Sequence, residues 1–114
     1  MDFKTKNRFE DRRSESNKII NKYPLRVPII VEKCDKSLIN DIDKNKYLVP
    51  NDLNMNQFVY IIRKRIKLDQ SQSIFLMINN TICPSNTPVG SVYDDYKDDD
   101  GFLYIKYTNE NTFG

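Results

Sequence analysis

Residues 46 to 66 read Lys46-Tyr47-Leu48-Val49-Pro50-Asn51-Asp52-Leu53-Asn54-Met55-Asn56-Gln57-Phe58-Val59-Tyr60-Ile61-Ile62-Arg63-Lys64-Arg65-Ile66, and a change of period within them decides the fold. The first five residues form a short strand. Its closing proline lacks a backbone donor, which suits the edge of a sheet better than its middle. Beyond Leu53 the period changes: Phe58, Val59, Ile62 and Ile66 follow Met55 at offsets of 3, 4, 7 and 11 residues, the stripe of a helix with one buried face. Asn54 and Gln57 stand at the cap and third-residue positions that start such a helix. An edge strand therefore feeds directly into the main core helix.

Outward from this pair, Arg26-Val27-Pro28-Ile29-Ile30-Val31 has the β-branched content of a first strand, with Pro28 suited to its start or to an edge. The polar stretch from Met1 to Tyr23 predicts one or two surface helices, with Asn7 and Glu10 spaced as a capping box and Pro24 as the stop. Lys33 to Asn45 is charged and loop-like. On the C-terminal side, Ile74-Phe75-Leu76-Met77-Ile78 is a buried strand entering a tight turn at Asn79-Asn80. Thr87-Pro88 predicts the cap and first turn of a short helix to about Tyr96, ended by Gly101. Phe102 to Tyr107 forms the last strand, with Leu103, Ile105 and Tyr107 on one face and Phe102 and Tyr104 on the other. A sheet with two apolar faces needs two covers. The order is a helical arm followed by ββαβ(α)β: an α+β fold, the ubiquitin-like β-grasp, with a four-stranded mixed sheet, the core helix on one face and the arm on the other. The expected divisions are an arm over 1–24, the β-grasp domain over 25–107 and a flexible C-terminal tail over 108–114.

Composition narrows the function. The chain has 114 residues, enough for one core, and no histidine, which excludes Ser/His/Asp and Cys/His nucleophile pairs and His-ligated zinc. Two cysteines, Cys34 and Cys83, are too few for a four-thiolate zinc site or a secreted disulfide framework, so the cytosol is the expected compartment. No stretch approaches the ~20 apolar residues of a membrane span, and Met1-Asp2-Phe3-Lys4 does not open a signal peptide. Residues 1–68 hold 16 Lys/Arg against 9 Asp/Glu, and residues 69–114 hold 2 against 7. This polarity offers a positive surface to acidic partners, but the cations are too interleaved with acids to demand nucleic acid. The five carboxylates of Asp94 to Asp100 lack the ligand spacing and terminal glutamate of a calcium loop. No metal, cofactor or catalytic residue is expected.

Four stretches, KYPLRVPIIVEK, DIDKNKYLVPNDLNMNQFVYIIRKRI, IFLMINN and DDDGFLYIKYTNENTFG, resemble in order and spacing the autophagosomal ubiquitin-like modifier family that includes GABARAP. The resemblance covers nearly the whole chain. Asn56 departs from it where many members have glycine, as does the segment from Pro84 to Val92. It implies a tag rather than an enzyme. A terminal glycine, here Gly114, is activated by an ATP-dependent ubiquitin-activating-type enzyme, carried as a thioester on a conjugating-type enzyme and joined to phosphatidylethanolamine, with a cysteine protease for processing or delipidation. Without a Cβ, such a terminus threads a narrow cleft more easily than any other residue. The chain as given needs no trimming to expose it. The implied location is cytoplasmic, and the autophagosomal membrane once lipidated.

Tyr47 to Pro50 reads either as an ordinary edge strand or as an open edge that accepts a peptide by β-augmentation. The resemblance implies the second, with cargo receptors carrying an aromatic residue and, three positions on, an aliphatic one. Those anchors lie about 10 Å apart in an extended strand. The matching positions place Glu15, Ile19, Pro28, Lys46, Leu48 and Phe102 around the aromatic side chain, and Tyr47, Val49, Pro50, Leu53, Phe58 and Ile61 around the aliphatic one. Arg26, Lys44, Lys46 and Arg65 form a basic rim, read either as a solvated face or as an attraction for acids flanking the guest motif. A rival reading makes the chain a trafficking or cytoskeletal adaptor that uses its groove and its arm cations (Lys4, Lys6, Arg8, Arg12, Arg13) without lipidation, or a diverged modifier serving another organelle membrane. Arg63 to Lys67 belongs to the amphipathic helix and is not a nucleic-acid tail.

Overall fold

The computed structural model describes residues 2–35 and 37–109. The arm consists of α1 (Phe3–Lys6) and α2 (Phe9–Lys22), followed by β1 (Arg26–Lys33), β2 (Lys46–Pro50), α3 (Met55–Arg65), β3 (Phe75–Ile78), β4 (Thr81–Ile82), α4 (Val89–Tyr96) and β5 (Leu103–Thr108). The sheet order is β2-β1-β5-β3-β4, with β1 and β5 parallel at its centre and the other pairs antiparallel. The four expected strands are present, and β4 adds a fifth of two residues. Asn79 and Asn80, at φ 51° and 64°, turn β3 back on itself to make it. β5 runs one residue into the stretch expected as the tail.

Alternation along the strands builds two cores. Val27, Ile29, Val31, Leu103, Ile105 and Tyr107 point toward α3, where Met55, Phe58 and Ile62 are buried against them. On the opposite face Ile30 and Phe102 are buried with Phe3, and Ile19 and Tyr104 pack at the margin. Val31 N–H bonds to Asn45 O and Leu25 O accepts from Asn51 N–H, so odd-numbered β1 residues face β2 and Pro28 faces β5. Pairing with β5 begins only at Ile29, so the proline's missing donor costs no bond.

The helix starts divide into one expected and two corrected. α3 opens with Asn54 Oδ1 accepting from Asn56 N–H at 3.0 Å and Asn54 N–H donating to Gln57 Oε1 at 2.9 Å, as its sequence predicts. The Asn7–Glu10 box does not form, because the Asn7 amide turns back to Phe3 O at 2.9 Å and closes α1, leaving Arg8 as the α2 cap. Pro88, rather than Thr87, caps α4. The first α4 donors find backbone acceptors: Val89 N–H reaches Leu53 O at 2.7 Å and Gly90 N–H reaches Asn51 O at 2.8 Å. Gly90 has no room for more, since a Cβ there would lie 2.9 Å from Asn51 O. Gly101 does not end α4, which stops at Tyr96 with Lys97 as its cap. It sits at φ +91° in the turn before β5. No described helix is long and apolar enough to cross a membrane.

Candidate functional site

Because β1 uses its odd-numbered residues toward β2, the pairing Ile29↔Tyr47 and Val27↔Val49 is the hydrogen-bonded one. The N–H and C=O of Lys46 and Leu48 therefore point away from the sheet, along an uncovered edge. Pro50 closes that edge, offering no donor and giving its carbonyl to Leu53 N–H at 3.1 Å. Two residues of strand-pairing capacity therefore face outward along β2.

Side chains alternate across the same strand. Tyr47 and Val49 turn inward to α3 and are buried, and the Tyr47 ring meets Phe58 edge-on at 5.8 Å between centroids. Of the expected aliphatic-side residues, Tyr47, Val49 and Phe58 are buried, Leu53 packs against that core, and Ile61, 37% exposed, and Pro50 are open to solvent. Lys46 and Leu48 turn to the arm side, where Pro28 is the register partner of Leu48. Here the expected aromatic-side residues are less open. Phe102 is buried and Ile19 half-buried, while Leu48 remains 38% exposed. Lys46 Nζ and Glu15 Oε2 form an ion pair at 2.5 Å across the gap between strand and arm.

Phe3, unassigned by sequence reasoning, completes this side. Its ring meets Phe102 edge-on at 5.3 Å, lies 5.3 Å from Lys46 Nζ, and is fixed by a bond from its own N–H to Glu32 Oε2 at 2.8 Å. Its one legible signal is an apolar residue in an otherwise polar arm. The acidic turn before β5, whose spacing does not fit a calcium loop, has a defined task. Asp100 is fully buried and accepts from Arg12 Nε at 2.8 Å, Tyr104 OH at 2.5 Å and Phe102 N–H at 2.9 Å, while Asp98 takes Lys4 Nζ at 2.6 Å. These bonds hold both arm helices on the sheet. Among the described residues no acidic or thiol cluster is suited to a metal.

The rim carries charges that are mostly engaged within the chain. Arg26 lies over the Tyr23 ring at 5.6 Å and Lys44 over the Tyr47 ring at 5.1 Å. Arg65 Nε donates to Asp43 at 2.8 Å, and this bond draws the Asp43 carboxyl below its ordinary range. Burial pushes the Tyr47 phenol up to about 12, and its hydroxyl has no hydrogen-bond partner among the described residues. Cys34 and Cys83 are unpaired thiols, each partly exposed, and burial raises both. Gly114 lies outside the described residues.

The family described as "Autophagy protein Atg8 ubiquitin like" matches residues 11–114. The chain belongs to the Atg8 family. Autophagy-related protein 8e of Arabidopsis thaliana is 55% identical over 112 residues, which cover 98% of this chain and 92% of that protein. Autophagy-related protein 8 of Kluyveromyces lactis is 52% identical over 98% of this chain and 90% of its own length. The crystal structure of Trypanosoma brucei ATG8 superposes with a TM-score of 0.92 at 43% identity, covering 100% of this chain and 98% of that one. The Atg8 fold, a mixed sheet between a core helix and an N-terminal arm, is thus the fold this sequence predicts, and this Atg8-family chain is an autophagy protein of the ubiquitin-like class.

Proposed function

We propose that the chain is a modifier rather than an enzyme, joined through the Gly114 carboxyl to the amine of phosphatidylethanolamine on autophagosomal membranes, where its β2 edge recruits cargo receptors carrying aromatic-x-x-aliphatic motifs. In the conjugation step the lipid amine attacks the Gly114 thioester carbonyl, an amide bond forms, and the conjugating enzyme's thiol leaves. The ATP spent by the activating enzyme supplies the energy. The chain is cytoplasmic before this step and membrane-bound after it, until a cysteine protease releases it.

One observation carries the receptor half of the reading. Residues three apart in an extended strand point to opposite faces. Along β2, Lys46 and Leu48 turn toward the arm and Tyr47 and Val49 toward α3, so the two sides that would receive such anchors lie on opposite faces of the strand, with outward-facing backbone groups between them. The guest pattern and the groove's alternation share one geometry.

The test is a calorimetric titration with a short acidic peptide containing Trp-x-x-Leu. Micromolar binding is expected, weakened about tenfold in Leu48→Ala, which trims an exposed wall and leaves the core intact. Tyr47→Ala is unsuitable, because that ring belongs to the core and its loss costs about 3 to 5 kcal/mol. A folded wild-type chain that binds no such peptide removes the receptor role. For the conjugation half, Gly114→Ala should abolish lipid attachment with purified activating and conjugating enzymes, and persistent attachment would move the site elsewhere.

A further inference from the structure

The cation expected at the α3 end of the groove already has a carboxylate. Arg65 closes α3, and its Nε donates to Asp43 Oδ1 at 2.8 Å, with side-chain exposures of 46% and 71%. Asp43 lies in the connection between β1 and β2, three positions before the edge strand begins. Both charges act on the phenol of Tyr47, in the edge strand β2, Arg65 lowering and Asp43 raising its proton affinity, so the pair stands beside that strand and not on a remote surface. Lys44, the neighbouring cation, is turned over the Tyr47 ring rather than toward Asp43.

We propose that Asp43 is an internal competitor for Arg65 that reduces what an acidic guest gains from that guanidinium and so damps the groove's preference for acidic over neutral guests. The proposal rests on the β2 edge being a peptide groove. An acidic guest brings a second carboxylate to one cation. Arg65 has donors enough for two acceptors, but two like charges around a single guanidinium repel, so the guest gains only the difference between its own contact and the one it disturbs. A guest without an acid leaves the pair untouched and gains nothing from Arg65. Solvent exposure keeps the Asp43 contact weak enough to be exchanged.

The experiment compares two peptides on four full-length chains by fluorescence anisotropy. One peptide carries glutamates around and between its Trp and Leu anchors, and the other carries glutamines at the same positions. The chains are wild type, Asp43→Asn, Arg65→Gln and the double variant, each checked for native circular dichroism. The expected result is that Asp43→Asn binds the acidic peptide about two- to fivefold more tightly and leaves the glutamine peptide unchanged. Arg65→Gln should erase both the acidic preference and the effect of Asp43→Asn in the double variant. Equal changes for both peptides in Asp43→Asn would overturn the proposal, assigning Asp43 to loop shape alone. No change with Asp43→Asn, while Arg65→Gln still weakens the acidic peptide, would also overturn it and leave the groove standing. Failure of both peptides to bind wild type would remove groove and competitor together.

Discussion

Gly101→Ala should loosen the arm from the rest of the molecule, and the loss can be assembled from the local geometry. Gly101 has φ +91°, where an L side chain costs about 1 to 2 kcal/mol. Its added methyl would be driven onto Ser16 Oγ and to 3.0 Å from Ser16 Cβ. Ser16 is fully buried, and its hydroxyl donates to Asp100 O at 2.5 Å. Displacing it forfeits a buried bond worth about 1 kcal/mol net. The combined loss of about 2 to 3 kcal/mol should lower the urea midpoint by roughly 1 to 2 M, read by far-ultraviolet circular dichroism. A second variant isolates the steric part. Ser16→Gly removes the atoms the methyl meets, so the double variant should be less destabilised than the sum of the two single changes. A loss below about 1 kcal/mol for Gly101→Ala, or strict additivity with Ser16→Gly, would refute close approach of α2 as the reason for glycine here.

Tyr47→Phe should stabilise the chain by about 1 kcal/mol, because a buried hydroxyl without a bonding partner is a net cost; a urea midpoint that falls would show that the hydroxyl is satisfied. The raised phenol adds a sign. Its neutral form is favoured in the folded state, so the stability this gives is complete below the ordinary tyrosine range and lost as pH rises toward about 12, and Tyr47→Phe should gain relative to wild type in alkali. Burial raises the Asp98 carboxyl, but the bonds from Lys4 and from Asp100 N–H outweigh it, and the net shift is downward. Its contribution is present above about pH 4 and lost as pH falls through the lowered folded value. Lys4→Gln should therefore destabilise at pH 6 and match wild type near pH 2, and an equal gap at both would remove the ion pair as the cause.

The parts legible in the sequence are those with a strong period or a local motif. The stripe from Met55 to Ile66, the Asn54–Gln57 box and the apolar alternation of Phe102 to Tyr107 all stand in the fold as read, because their signals lie within one helix or strand. The residues that escaped depend on distant partners. Nothing local distinguishes Asp98 and Asp100 from their solvated neighbours; they become acceptors only when Lys4 and Arg12 arrive from the other end of the chain. Asn7 failed as a cap for a related reason, since the chain bends after α1 and the amide spends itself on Phe3 O. Among the groove residues, position and facing follow from strand alternation, whereas the filling of the arm side by Phe3 and the engagement of Lys46 and Arg65 by Glu15 and Asp43 are tertiary facts.

The clamp between arm and acidic turn also sets an order of events. Lys4–Asp98, Arg12–Asp100 and Ser16–Asp100 join residues 94, 88 and 84 positions apart. Such closures come late, since so long a loop must be ordered before any contact rewards it. On a ribosome the arm emerges well before the turn that precedes β5 and cannot seat until that turn has been made. Until then Phe3 has no Phe102 to meet, and the arm-facing side of Ile30 is open to whatever the nascent chain encounters. A segment synthesised early is thus among the last to find its place, and its seating marks the moment when the second core closes over Ile30 and Phe102.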